Sequence, residues 1–228
     1  MSEPEREHIA VEHPAEGVAL VTIDRARHFN TLSEETLVEL DGVFASIATD
    51  SNVRAVVLRG EGDETFAAGA NIREVSALTQ STAPRFAWLG QRVLDRIERA
   101  PQLVIAAVTG YCMGGGLDLA LACDVRIASP SSVFAHPGAK LGIITGFGGT
   151  SRLVRTIGKA AAIEMFVTAR RVSAGEALAM RLVDAVVDDP VRAAILRASD
   201  AAAADDETRR AMKSIAVASW RARPVARS

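Results

Sequence analysis

The sequence predicts an α/β fold, a spiral of repeated ββα units with a helical C-terminal region, and three observations carry that prediction. Short unbroken apolar runs, such as Ala55-Val56-Val57-Leu58 and Leu103 to Val108, have the length and composition of buried strands. Longer segments repeat apolar residues at spacings of three and four, as Leu37, Leu40, Phe44 and Ile47 do, which gives a helix one core-facing side. Strand, strand and helix groupings then recur along the chain. With 228 residues, 49% of them hydrophobic, there is material for one large core.

In order, Ile9 to Glu12 and Val18 to Ile23 are β-type runs separated by Pro14 and Gly17, a hairpin-like start. Asp24 to Asn30 is a polar loop. Ser33, with Glu34 and Glu35 behind it, opens the first helix. Arg54 to Arg59 holds a buried strand ended by Gly60 and Gly62. Phe66 to Glu74 places small residues before a charged helical start, either a backbone surface for a ligand or a compact loop. Pro84 begins a second helix with Phe86, Leu89, Val93, Leu94 and Ile97 in period. Leu103 to Val108, Val125 to Ala128 and Val133 to Ala135 are strands, the last broken by Pro137-Gly138. Helices follow through Leu153 and Val154, from Lys159 to Thr168 and from Ala174 to Met180, with a last strand from Val183 to Val187. From Pro190 the chain is alanine-rich and helical, with a break at Pro224.

The stretch Gly110-Tyr111-Cys112-Met113-Gly114-Gly115-Gly116-Leu117-Asp118 joins a buried strand to a helix. Its glycines leave backbone N–H groups bare at the helix start, aimed where an anion or an oxyanion could sit. A P-loop needs Gly-Lys-Ser/Thr after its glycines and a dinucleotide fingerprint needs Gly-x-Gly-x-x-Gly, and neither is present. The second glycine-rich passage, Leu141 to Thr150, also fails the dinucleotide pattern. What remains is an oxyanion hole with the carboxylate of Asp118 one turn on, or tight strand-to-helix packing with Asp118 as a first-turn acid.

A formal net charge of -2 gives no electrostatic reason to expect nucleic acid or an anionic membrane as partner. Cys112 and Cys123 lack metal-ligand spacing and read as buried reduced thiols, and no zinc signature is present. Met1 to Glu7 lacks the apolar centre of a signal peptide, and no apolar run approaches membrane-spanning length, so a cytoplasmic protein is expected.

Four segments together resemble the crotonase superfamily of enoyl-CoA hydratases, isomerases and their relatives: Ile23 to Ser33, Phe66 to Glu74, Gly110 to Asp118, and Phe134 to Leu153 with its Gly-Gly-Thr-x-Arg-Leu ending. The resemblance implies an acyl-CoA-binding core over residues 1–190 and a helical region over 191–228, shortened relative to the family after about Lys213. It also implies an acyl-CoA thioester as substrate, no tightly bound cofactor, no metal, and a homotrimer or dimer of trimers. By position, the backbone N–H groups of Ala70 and Gly115 would hold the thioester oxygen. The implied CoA contacts are Arg25, Ala68, Gly69, Ala70, Asn71, Ile72 and Gly114.

The chain departs from the family pattern where chemistry is concerned. The family's hydratases use two glutamates, and here Asp118 occupies the first position and Gly138 the second. General acid–base groups each contribute roughly 10²- to 10⁴-fold, and glycine supplies nothing of the kind. His136, two positions earlier at a strand end, is the candidate stand-in, with a structural turn histidine as the alternative. One carboxylate suits double-bond isomerisation or decarboxylation, and a catalytically silent acyl-CoA-binding subunit is the competing reading.

Overall fold

The computed structural model describes residues 8–222. The expectations for Met1 to Glu7 and for Pro224 lie outside the described residues. The first hairpin pairs β1 (Ile9–Ala15) antiparallel with β2 (Val18–Ile23). β1 continues through Pro14 because it is the edge strand of its sheet, where a missing N–H costs no ladder bond, and the register shifts between Glu12 and Ala15. A short 3-10 turn at Ala26–His28 leads to α1 (Glu34–Thr49), capped by Ser33, whose hydroxyl accepts from the Thr36 N–H.

Three successive windings then repeat one plan. The first is β3 (Ala55–Gly60), β4 (Thr65–Ala67), α2 (Ile72–Ala77) and α3 (Ala83–Arg99). The second is β5 (Leu103–Val108), β6 (Tyr111–Met113) and α4 (Gly115–Ala122). The third is β7 (Val125–Ala128), β8 (Val133–Ala135), α5 (Gly138–Leu141), α6 (Gly149–Ile157) and α7 (Lys159–Thr168). The chain closes with β9 (Val172–Ser173), α8 (Ala174–Ala179), β10 (Ala185–Val186), α9 (Pro190–Ala202) and α10 (Asp206–Ala222).

Each winding sends its first strand to a six-stranded sheet, β1-β2-β3-β5-β7-β10, and its second to a four-stranded sheet, β4-β6-β8-β9. Beyond the first hairpin the large sheet is parallel, and helices cover both faces. That is why its strands read as continuous apolar runs rather than alternations. Val56, Leu58, Val104, Ala106 and Val108 face the main core with α1, α3 and α4. Val57, Ile105 and Ala107 face Ala194, Ala198 and Ala202, whose spacing of four puts a row of methyl groups from α9 on the sheet.

The structure differs from the sequence reading in four places. β4 and β6 form inside stretches read as loop and glycine-rich turn, because strands of three residues are too short to show a period. Where Pro137-Gly138 predicted only a break, Pro137 leads into the single turn of α5. The last strand shrinks to Ala185–Val186, since the Asp184 carboxylate accepts from the Arg126 N–H at 2.8 Å at its start. Within Asp24 to Asn30, buried Asn30 takes a positive φ and donates to the carbonyls of Glu61 and Thr65. No helix among the described residues is long and apolar enough to cross a membrane.

Candidate active site

The site lies where the loops after β4 and β6 meet. Gly69 (φ +94°) and Gly114 (φ +51°) adopt backbone conformations that glycine takes without strain. Two loops pack there backbone to backbone. A Cβ on Gly69 would stand 2.8 Å from the Met113 carbonyl oxygen, and one on Gly116 only 2.1 Å from that of Ala67. Ala70 N lies 3.4 Å from the place a Gly115 Cβ would take, and Gly115 N lies 3.0 Å from the place a Gly69 Cβ would take, so the two loops meet at these residues. The start of α4 leaves its first N–H groups without intrahelical partners, and the helix dipole adds positive potential at that point.

A cavity of about 530 Å³ opens against these loops. Ala68, Gly69, Ala70, Ile72, Gly114 and Gly115 form one wall, and Val75, Leu78, Phe86, Leu141, Ile143, Ile144 and Phe147 supply apolar surface elsewhere. Among the described residues that line it, His136 alone is titratable. Phe147 reaches the wall because Gly90 makes room: a Cβ there would lie 2.1 Å from the Phe147 ring. Arg152 anchors the same loop, donating to the Phe147 carbonyl and pairing with Glu98 at 2.7 Å and Asp95 at 2.6 Å on α3.

His136 meets Asp118 through the register of the small sheet. β6 and β8 pair in parallel with Met113 beside Ala135, and the Gly114 N–H donates to the Ala135 carbonyl. The residue after β8 therefore stands against the first turn of α4. His136 Nε2 lies 2.9 Å from Asp118 Oδ1, and the Thr145 hydroxyl donates to Oδ2. Asp118 has no exposed surface and His136 is 3% exposed, with its ring edge-on to Phe166 at 4.9 Å between centroids. The carboxylate also rests on the first residue of α6, since a Cβ on Gly149 would lie 1.8 Å from Oδ1. A helix start favours a carboxylate there.

The residues singled out in the sequence fall into two sets. Ala68, Gly69, Ala70, Ile72, Gly114, Gly115 and His136 line the cavity, and Asp118 lies behind it. Arg25 and Asn71 are bonded within the fold. Arg25 donates to the Thr31 carbonyl and to the Ser33 and Thr36 hydroxyls. Asn71 caps α2 by accepting from the Arg73 N–H, and it donates to Glu74. Glu74 in turn accepts from the Glu34 N–H. At Gly138, also on the cavity wall, a Cβ would meet the Ile143 carbonyl oxygen at 2.4 Å. A glutamate there would find backbone in its place. Thr145, Gly149 and Phe147 were not anticipated as site residues; only the glycine-rich composition of Leu141 to Thr150 pointed to that segment.

Cys112 and Cys123 are buried and unbridged. Burial, then the nearby charge of Asp118, pushes the Cys112 thiol well above its ordinary value, and burial pushes Cys123 up to about 12. Neither is a nucleophile near neutral pH. Among the described residues no group of three or more His, Cys, Asp or Glu side chains is placed to hold a metal ion.

The chain is similar to known proteins over most of its length. The family model described as enoyl-CoA hydratase/isomerase matches residues 13–227. A short-chain-enoyl-CoA hydratase of Clostridium acetobutylicum is 44% identical over 171 residues, 75% of this chain and 66% of that protein. A crotonyl-CoA hydratase of Syntrophomonas wolfei is 40% identical over 172 residues, again 75% of this chain and 66% of that protein. The chain thus spans about two thirds of the length of these relatives. The crystal structure of an enoyl-CoA hydratase from Bacillus anthracis superposes with a TM-score of 0.88 at 35% identity, covering 91% of this chain and 81% of that one.

Proposed function

Because this chain belongs to the enoyl-CoA hydratase/isomerase family, we propose that its cavity receives an acyl-CoA thioester and that the reaction is a proton transfer beside the thioester carbonyl. The observation that carries the reading is the close approach of the Ala70 and Gly115 backbones on a wall shared with His136. Removing a proton from the acyl chain of an enoyl thioester drives an electron pair toward the carbonyl oxygen. Two fixed N–H donors stabilise the resulting oxyanion, and loss of one such donor typically costs about a hundredfold or more in rate.

With Nε2–H directed at Asp118, Nδ1 of His136 carries the lone pair that accepts the proton. The C–H bond breaks, its electrons move into a conjugated enolate, and return of the proton at a different carbon shifts the double bond. Hydration needs a second group to handle a proton while water adds, and Gly138 supplies none. Isomerisation is therefore the reaction this geometry favours. Decarboxylation comes second, because the lining among the described residues has no Lys or Arg to receive a carboxylated acyl chain. Coenzyme A enters as part of the substrate, and no tightly bound cofactor is involved.

Exposed apolar side chains on α7 and α10, Val167 at 70%, Met212 at 69% and Ile215 at 68%, support a homotrimer or dimer of trimers, which light scattering tests. The functional test is incubation of crotonyl-CoA with the protein in deuterium oxide. Deuterium entering the acyl chain, with little or no 3-hydroxyacyl product by mass, is expected. Robust hydration refutes the isomerase assignment. Binding of acyl-CoA without exchange or any product identifies a silent binding subunit instead.

A further inference from the structure

We propose that Asp118 and Thr145 are positioning residues that act through His136, which alone exchanges a proton with the substrate. This rests on the acyl-thioester reading above and gives its buried carboxylate a role. Asp118 is the one acid that sequence position offers for catalysis, yet it is fully buried and does not line the cavity. Both of its oxygens are engaged, Oδ1 with His136 Nε2 at 2.9 Å and Oδ2 with the Thr145 hydroxyl. Gly149 closes the remaining side, leaving no room for so much as a methyl group between helix and carboxylate. A substrate atom in the cavity cannot reach that carboxylate without displacing the imidazole or the threonine.

The arrangement nevertheless has a use. A carboxylate held at two points and set on a helix start fixes the imidazole's orientation and its Nε2–H tautomer. It also stabilises the imidazolium that forms when Nδ1 takes a proton. Thr145 directs the second oxygen and so keeps the first on the imidazole. In the balanced step, the substrate C–H bond breaks, the proton passes to Nδ1, and the electron pair moves to the thioester oxygen. Asp118 itself exchanges no proton with the substrate.

The test measures deuterium exchange into crotonyl-CoA by the full chain for His136→Ala, Asp118→Asn, the double variant, Thr145→Val and Thr145→Ser. Thermal melting and acyl-CoA binding are followed in parallel. His136→Ala should lower kcat by about 10²- to 10⁴-fold and recover partly with added imidazole. Asp118→Asn should lower kcat by roughly tenfold to a thousandfold, with KM within about twofold and no response to imidazole. The double variant should match His136→Ala alone, because a carboxylate that works through the ring has nothing left to position. Thr145→Val should cost about tenfold in kcat and Thr145→Ser should restore it, which carries the test if Asp118→Asn does not fold. Exchange that survives in His136→Ala but vanishes in Asp118→Asn overturns the proposal, as do losses that multiply in the double variant. Absence of exchange in the unsubstituted protein overturns the proton-transfer reading on which the proposal rests, and acyl-CoA binding measured alongside then separates a silent binding subunit from a protein that takes no acyl thioester.

Discussion

The two glycine-rich passages look alike in sequence and do opposite things in the fold. In Gly110 to Gly116 the tightest glycines let backbone approach backbone: a Cβ on Gly110 would lie 1.9 Å from the Glu64 carbonyl oxygen and one on Gly116 2.1 Å from that of Ala67. In Leu141 to Thr150 they let side chains in: Gly149 makes room for the Asp118 carboxylate and Gly148 for the Arg152 guanidinium, 2.6 Å from where a Cβ would stand. One passage builds a surface of main-chain donors and the other encloses a charge. Glycine content alone therefore does not tell what a loop is for; what occupies the space of the missing Cβ does.

The largest expected effect comes from breaking the first passage. Gly116→Ala places a methyl group 2.1 Å from the Ala67 carbonyl oxygen, and neither backbone has a rotamer with which to move away. The loops must part, so stability should fall by on the order of 3 kcal/mol. Turnover should fall with it, as the Ala70 and Gly115 N–H groups separate. Urea unfolding and acyl-CoA turnover read both, and a variant of unchanged stability would show that the backbone contact is looser than described.

The second passage should break differently. Gly149→Ala puts its methyl 1.8 Å from Asp118 Oδ1, so a side chain shifts rather than the backbone. Stability should fall by only about 1 to 2 kcal/mol, partly offset by alanine's better helix propensity. Activity should fall about a hundredfold, because a displaced carboxylate loses its bonds to His136 and Thr145. A drop in stability as large as that of Gly116→Ala, with activity per folded molecule retained, would contradict the contrast between the passages.

Much of the scaffold was legible in the sequence because its signals are local. β3 and β5 announce themselves as apolar runs, α1 by its period and its Ser33 cap, and α3 by Pro84 and the spacing of Phe86, Leu89 and Val93. The site was only half legible. Asp118 and His136 could be singled out by type and position, but their contact depends on the pairing of β6 with β8 across 18 residues. Thr145, 27 residues from the carboxylate it holds, carries no local signal at all. Arg25, a CoA contact by the resemblance alone, donates to the Ser33 and Thr36 hydroxyls at the start of α1, partners that no local signal in the sequence shows.

The smallest effect sharpens the comparison by isolating conformation from contact. Gly142 lies in the second passage with φ +66° and no atom within 4 Å of where a Cβ would be, and it caps α5 in the left-handed conformation. Alanine there meets no obstruction, only the cost of a positive φ, roughly 1 kcal/mol. Asparagine tolerates that conformation better, so Gly142→Asn should be milder than Gly142→Ala in thermal unfolding. The Asp118 carboxylate sits under Gly149 and Thr145, not under Gly142, so turnover per folded molecule should stay within about twofold in both variants. A large loss of activity in Gly142→Ala would mean that α5 itself sets the position of Thr145. The two passages would then differ less than their contacts imply, since backbone geometry would govern both.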